Sequence, residues 1–130
     1  MRLDQFTIKA QEAITAAQTA AEKADHPEFT PEHLLQALLT QEGGVVPAAL
    51  AKLGIAVGPI AQEVERALAG LPRTQGAPTS LSPRLDAALK NALREAEALK
   101  DEYVSTEHLL LGLVDARTPA ADVLKRHGVT

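Results

Sequence analysis

The sequence contains one pattern twice, with the second copy displaced by 75 positions from the first. Residues 7–39 align without a gap with residues 82–114, and nine of the aligned residues are identical. Both copies carry Glu-His-Leu-Leu at the same place, at residues 32–35 and 107–110. Repeated segments fold into similar units that bury their apolar faces against each other. The chain is therefore expected to form two related units.

Each copy shows the apolar spacing of amphipathic helices. Thr7 and Ser82 are natural N-cap residues, and a long first helix is predicted after each of them. A second helix is predicted to begin at residues 30–31 in the first copy and at residues 105–106 in the second. The helix signals therefore follow the same order in both copies.

The third helix of each copy is predicted over residues 47–53 and 119–127. Gly54 and Gly128 follow these helices, where a glycine in the left-handed conformation commonly ends a helix. A fourth helix is predicted over residues 59–69, in the first copy only. The second repeat is thus incomplete by one helix, so we expect an exposed apolar stripe and lower stability in the second unit.

The composition favours closely packed helices. Aromatic residues make up only 2% of the chain, so the core must consist of Leu, Ile, Val and Ala. Alanine loses no side-chain entropy in a helix and lets helix axes approach closely. No segment alternates in the manner of a strand. We predict an all-α fold of two tandem helical repeats, at residues 1–69 and 81–130, with a Gly, Pro, Thr and Ser-rich linker at 70–80.

Charge and composition exclude several classes of partner. The net charge is −4 with an isoelectric point near 5.5, whereas nucleic acids and anionic membranes select basic surfaces. A helix-turn-helix DNA-binding domain is disfavoured because no helix is rich in Lys and Arg. The N-terminus has no apolar signal segment, the longest apolar run covers only residues 109–114, and cysteine is absent. We expect a cytoplasmic protein that binds neither nucleic acid nor membrane.

Catalytic motifs are also missing from the sequence. No phosphate-binding Gly-x-x-x-x-Gly-Lys-Ser/Thr loop occurs, and residues 43–47 offer two glycines without a following lysine. No local signature of a Ser-His-Asp hydrolase occurs either. The chain is therefore predicted to have no catalytic site and to need no cofactor of its own.

The two repeats resemble the Clp N-terminal (Clp repeat) domain family over residues 6–129. The resemblance is carried by the paired "EHLL" segments, the opening "FT" and the "ALAGLP" that closes the first repeat. The segments "MRLDQFT", "LLTQEGG" and "LPRTQG" are most like the ClpB disaggregase branch. The segment "YVSTEHLLLGL" is also compatible with the ClpC branch.

This resemblance implies two units related by a pseudo-twofold axis. It also implies an N-terminal domain that binds unfolded or aggregated polypeptide and passes it to a hexameric AAA+ ring, which uses ATP and Mg²⁺ in the full-length protein. The isolated domain is then expected to be a monomer. The alternative is an N-domain of a ClpC- or ClpA-type, protease-linked unfoldase, which docks adaptors or substrates.

Three polar residues match a cluster that the ClpB family ties to chaperone activity. They are Thr7, Asp101 and Glu107, although Thr7 also has the simpler role of an N-cap. Glu32 and Glu107 fall in the first turns of their helices, where a carboxylate complements the helix dipole whether or not it binds a ligand. In the ClpC branch the matching glutamates are associated with phosphorylated arginine. Both glutamates therefore remain candidates for substrate binding.

Apolar residues supply the other candidates for substrate binding. Tyr103 stands between two predicted helices beside acidic residues, and an aromatic there suits a groove for extended apolar peptide. Val104, Leu109 and Leu89 are candidates too, although core packing is the simpler role for Leu89 and Leu109.

The paired histidines of the repeats offer little evidence for a metal site. His33 and His108 match each other by repeat, but no Cys accompanies them. Glu-His-Leu-Leu also differs from the His-Glu-x-x-His pattern of zinc proteases. No metal site is predicted.

Overall fold

The computed structural model describes residues 3–129 and confirms the all-α prediction. A 3₁₀ turn at Leu3–Gln5 precedes the α-helices of the described chain. These helices are α1 (Ile8–Lys23), α2 (Pro31–Thr40), α3 (Val45–Lys52), α4 (Val57–Ala69), α5 (Pro83–Ala98), α6 (Thr106–Val114) and α7 (Pro119–Arg126). No helix within residues 3–129 has the length and hydropathy needed to cross a bilayer. Met1, Arg2 and Thr130, which the predicted ranges 1–69 and 81–130 include, lie outside the described residues.

Helices α1 to α3 and helices α5 to α7 follow the same order, and the expected side chains cap α1 and α5. The Thr7 hydroxyl accepts a hydrogen bond from the Ala10 N–H at 3.2 Å, and the Ser82 hydroxyl accepts one from the Leu85 N–H at 3.1 Å. These contacts satisfy amide groups that have no partner inside the helix.

Two helix starts differ from the prediction. Helices α3 and α4 begin two residues earlier than expected, at Val45 and Val57 rather than at Pro47 and Pro59. Each proline therefore lies at the third helical position. The first four N–H groups of a helix have no intrahelical acceptor, so a proline there loses no hydrogen bond.

The repeat extends to the ends of the helices. Gly54 and Gly128 have φ values of +76° and +88°, as predicted for residues that end a helix. Asp25 and Lys100, which follow α1 and α5, share a φ of +58° without being glycine. These four residues donate matching backbone hydrogen bonds into the last turns of their helices.

One short parallel strand pair and one isolated parallel bridge were not predicted, so the expectation of no strand was wrong. Strand β1 (Glu28–Phe29) pairs with β2 (Ser80–Leu81), and Phe6 forms a bridge with Val104. The pairs are repeat counterparts, because Phe6 corresponds to Leu81 and Phe29 to Val104 in the 75-residue register. Each unit's leading segment thus pairs with the α1–α2 or α5–α6 connection of the other unit. Two-residue strands are too short to show alternation in a sequence.

One continuous hydrophobic core joins both units, and α5 packs very closely on α6. Gly112 on α6 makes this approach possible, because a Cβ atom there would lie 2.4 Å from the Ala88 carbonyl oxygen. It would also lie 2.9 Å from the Ala92 nitrogen. The first unit has Ala37 at the matching position of α2, so the two helix pairs cannot be packed identically.

Helix α4 packs against α2 and α7, and thus covers parts of both units. Ile60 and Val64 are fully buried, and the Glu63 carboxylate accepts hydrogen bonds from Arg126 at 2.8 Å and His127 at 2.7 Å. Leu111 on α6 is 39% exposed.

The uncovered apolar surface also reaches the first unit, which was not predicted. Leu53 at the end of α3 is 72% exposed, whereas its counterpart His127 contacts α4. In the repeat register α3 corresponds to α7. Helix α3 packs on α2, α4 and α6, and Leu53 just beyond its end stays exposed.

Candidate functional site

A surface depression of about 540 Å³ lies where α5 ends and α6 begins. We call it the Tyr103 pocket. The end of α5, the α5–α6 connection and the first turns of α6 supply its walls. Its lining residues are Leu99, Asp101, Glu102, Tyr103, Ser105, Glu107, His108 and Leu111. Three of the residues predicted to bind substrate, Asp101, Tyr103 and Glu107, therefore meet at one place.

A hydrogen-bond chain fixes the position of Asp101. The Ser105 backbone N–H donates to His108 Nδ1 at 2.9 Å, so Nδ1 is an acceptor and Nε2 carries the N–H of the ring. Nε2 in turn donates to Asp101 Oδ2 at 2.8 Å. His108 is buried, while the Asp101 side chain is half exposed. His108 thus holds one carboxylate oxygen of Asp101, and the half-exposed carboxylate stays accessible to a ligand.

The pocket is anionic. Asp101, Glu102 and Glu107 are all exposed at its surface. No lysine or arginine of the described chain lines the pocket beside them. Carboxylates gathered in a concave surface raise the local concentration of cationic groups and repel anionic ones. The pocket is therefore suited to polypeptide that carries basic side chains.

Apolar side chains complete the pocket. Tyr103 is 49% exposed, Leu99 is 59% exposed and Leu111 also reaches the surface. Leu99 and Leu111 were missed in the sequence analysis, although the repeat contains a signal. The first copy has Ala24 and Gln36 at their positions, so the second copy gained large apolar residues at the surface.

The remaining predicted residues lie outside the pocket. Thr7 is the N-cap of α1, as described. Its backbone N–H donates to the carbonyl of Val104 at 2.9 Å, so Thr7 contacts the residue that follows Tyr103 in the chain. Val104, Leu109 and Leu89 are buried in the core. Their side chains are therefore not accessible to a polypeptide at the surface.

The two repeat-related glutamates have different environments. Glu107 is exposed, whereas Glu32 is only 7% exposed and accepts a hydrogen bond from the backbone N–H of Ala120 in the first turn of α7. Burial raises the pKa of Glu32, and the backbone N–H groups and Arg84 oppose that rise. Glu32 therefore contributes to the contact between the units and does not lie at the surface beside Glu107.

The first unit has a buried histidine pair where the second has Asp101 and His108. The Thr30 N–H donates to His33 Nδ1 at 3.0 Å, and His33 Nε2 lies 2.8 Å from His26 Nδ1. Burial and then the charge of His26 lower the pKa of His33 to about 4. Within residues 3–129 no three His, Cys, Asp or Glu side chains gather as a metal site would require. His33 and His108 instead hold the starts of their own helices.

The fold and the pocket together define a class of protein: a helical domain of two interlocked repeats with a peptide-sized anionic pocket on its surface. The family described as the Clp repeat (R) N-terminal domain matches residues 5–127. The chain belongs to this family.

Relatives and solved structures agree with this assignment. Chaperone protein ClpB of Mycobacterium tuberculosis is 42% identical over 132 residues, which cover 98% of this chain and 16% of that relative. The Hsp104 N-terminal domain of Candida albicans matches with a TM-score of 0.86 and 23% identity, over 97% of this chain and 83% of that chain. The ClpV1 N-terminal domain of Escherichia coli matches with a TM-score of 0.84 and 26% identity, over 98% of this chain and 78% of that chain. The chain thus spans only a small part of the ClpB relative that it matches.

Proposed function

We propose that this chain is the substrate-engaging N-terminal domain of a ClpB-type disaggregase. It binds unfolded or aggregated polypeptide at the Tyr103 pocket, and an AAA+ ring in the longer protein then threads that polypeptide using ATP and Mg²⁺. The full-length protein is a cytoplasmic homohexamer in this proposal. The relationship to ClpB supports the role, and the exposed aromatic among carboxylates supports its location.

The observation that carries the proposal is the exposure of Tyr103 beside Leu99 and Leu111. An apolar surface of this kind costs solubility unless a partner covers it. The surrounding carboxylates keep the pocket hydrated and open when it is empty. Binding by one aromatic and a few leucines is weak, which suits a domain that must release what it captures.

The direct test measures binding of a chemically unfolded, fluorescently labelled model polypeptide to the isolated domain by anisotropy. Replacing Tyr103 by Ala removes a half-exposed aromatic, so we expect a loss of about 1 kcal/mol, or roughly fivefold in affinity. Leu53→Ala is the matched control, because Leu53 is also exposed but lies on α3. Equal binding by wild type and Tyr103→Ala would refute the proposed site. Capture of one dominant folded protein in place of unfolded chains would favour the adaptor-docking alternative.

A further inference from the structure

Two buried histidine rings of the first unit are in direct contact. His26 in the α1–α2 connection is 4% exposed, and its Nδ1 lies 2.8 Å from Nε2 of His33 in the first turn of α2. His33 is 3% exposed, and its Nδ1 accepts a hydrogen bond from the Thr30 N–H at 3.0 Å. The α1–α2 connection is therefore joined to α2 by a contact between two titratable groups.

The hydrogen bonds fix where both rings carry their protons. Because His33 Nδ1 accepts from Thr30, the neutral ring carries its proton on Nε2 and donates it to Nδ1 of His26. His26 must then carry its own proton on Nε2, which is buried and has no acceptor among residues 3–129. The contact between the rings thus exists in one arrangement only, with both rings neutral.

An added proton removes one of these hydrogen bonds whichever ring takes it up. On His26 the proton goes to Nδ1, where it faces the N–H of His33 Nε2, so two donors meet. On His33 the proton goes to Nδ1, and the Thr30 N–H loses the acceptor that holds the start of α2. A buried imidazolium also loses the water that solvates it in an open chain. The pair therefore holds the connection on α2 only in its neutral state.

The groups that face His26 do not compensate an added proton. Burial and then the positive charge of Arg73 lower the pKa of His26, and the charge of Asp25 opposes this shift. Glu28 lines the small cavity beside His26, but its side chain is exposed to solvent. The surroundings of His26 thus favour the neutral ring.

The groups that face His33 favour the neutral ring as well. Helices α1 and α4 line the cavity beside His33 with uncharged side chains, namely Ala16, Ala17, Ala20 and Leu68. Glu32 precedes His33 on α2, but it accepts a hydrogen bond from the Ala120 N–H of α7. Burial, and then the charge of His26, lower the pKa of His33 to about 4.

The connection that contains His26 also holds the linker between the units. Four of its backbone carbonyls accept hydrogen bonds from residues 74–82. The donors and acceptors are the Thr74 N–H to Asp25 at 2.8 Å, the Thr79 hydroxyl to His26 at 2.7 Å, the Ser80 N–H to Pro27 at 3.0 Å and the Ser82 N–H to Phe29 at 3.0 Å. A displacement of the connection therefore releases the linker and the β1–β2 pair.

We propose that the His26–His33 pair is an acid-sensitive latch that holds the linker on the first unit. When either ring takes up a proton, the α1–α2 connection moves off α2, and the hydrogen bonds that it accepts from residues 74–82 are lost. The second unit is built differently, because Asp101 stands in place of His26. A carboxylate accepts from His108 Nε2 whether or not that ring is charged. Mild acid therefore opens one connection and leaves its repeat counterpart closed.

The test compares two matched amides of this chain by native-state hydrogen exchange, followed by NMR at pH 7.5 and pH 5.0. The Ser82 N–H donates to Phe29 of the first connection, and its repeat counterpart Thr7 donates to Val104 of the second. A ring whose pKa is about 4 when closed and about 6.5 when open should lower the protection factor of Ser82 by about 10- to 30-fold. The protection factor of Thr7 should change by less than about twofold.

Histidine variants complete the test. His26→Asp gives the first unit the acceptor that the second unit has, so the loss of protection at Ser82 in acid should disappear. His127→Gln is the control, because His127 is bound to Glu63 of α4 and should leave that loss unchanged. Ring ¹⁵N spectra at pH 7.5 give a second readout, in which His26 and His33 each carry a single proton on Nε2.

Three exchange results would overturn the proposal: equal losses of protection at Ser82 and Thr7, no loss at Ser82, or a loss that His26→Asp retains. A second proton on either ring of the pair at pH 7.5 would also contradict it. If His26→Asp does not fold, the comparison of Ser82 with Thr7 in the wild type still decides. None of these measurements depends on the proposed function, because no substrate is present.

Discussion

The close packing of α5 on α6 makes Gly112→Ala a sharp test of the fold. The added methyl group would lie 2.4 Å from the Ala88 carbonyl oxygen and 2.9 Å from the Ala92 nitrogen, and both are backbone atoms that cannot rotate away. The helices must therefore separate. Overpacking of this kind costs about 1–3 kcal/mol. Because two backbone atoms clash at once, we expect the upper part of that range, about 2–3 kcal/mol; alanine recovers up to about 1 kcal/mol of helix propensity, so the net loss is roughly 1–2 kcal/mol.

The assay is thermal unfolding followed by far-ultraviolet circular dichroism. At roughly 4 °C per kcal/mol for a chain of this size, Tm should fall by about 4–8 °C. Gly58→Ala is the matched control, because Gly58 lies in α4 and its added Cβ would meet no atom within 4 Å. That variant should gain up to about 1 kcal/mol. A Gly112→Ala protein as stable as the wild type would refute the packing that we describe.

Three further predictions concern the pocket, the histidine pair and the relative stability of the units. In the full-length protein, Asp101→Ala and Glu107→Ala should weaken disaggregation with Tm nearly unchanged, since both residues are exposed; activity that stays normal, or falls only as stability falls, would contradict this. The pKa of His33 is about 4 in the folded chain and about 6.5 in the unfolded chain, so the unfolded state takes up the proton first as pH falls. The free energy of unfolding that the neutral ring contributes is therefore lost between about pH 6.5 and about pH 4. Denaturant titrations across that range should therefore show the free energy of unfolding falling more steeply with decreasing pH for wild type than for His33→Gln. Equal pH slopes for the two proteins would contradict this prediction. Hydrogen exchange should be faster over residues 82–129 than over residues 7–55, because α4 packs more extensively on α2 of the first unit than on α7 of the second; equal protection would contradict that expectation.

Local sequence signals predicted the helices well. Thr7 and Ser82 cap α1 and α5 because a hydroxyl at that position reaches an amide three residues later, which is a purely local interaction. Gly54 and Gly128 end their helices for an equally local reason. The starts of α3 and α4 differ from the prediction because a proline is tolerated inside the first turn as well as at the first helical position.

Features that depend on contacts between the units could not be predicted. Phe6 and Val104 are almost a hundred positions apart in the chain, and nothing local to either residue indicates that they pair. The repeat also suggested equal roles for Glu32 and Glu107, yet the contact between Glu32 and Ala120 of α7 buries only one of them. Repeat symmetry in a sequence does not fix the surroundings of matching residues.

The sequence predicted only part of the candidate site, because some of its residues come together through contacts between helices. Tyr103, Asp101 and Glu107 lie close in sequence to one helix start, so their proximity in space follows from a short connection. Leu99 belongs to the end of α5 and Leu111 to the second turn of α6, and each reads as an ordinary residue of an amphipathic helix. Their exposure results from how α5 and α6 meet.

The most direct measurement of the central claim is site-specific photo-crosslinking in the full-length protein. A photo-reactive amino acid is incorporated in place of Tyr103 and, separately, in place of the exposed Leu53, and each protein is irradiated with an aggregated model substrate. The account predicts substrate crosslinks at position 103 well above those at position 53. Equal crosslinking at the two positions, or none at position 103, would contradict it.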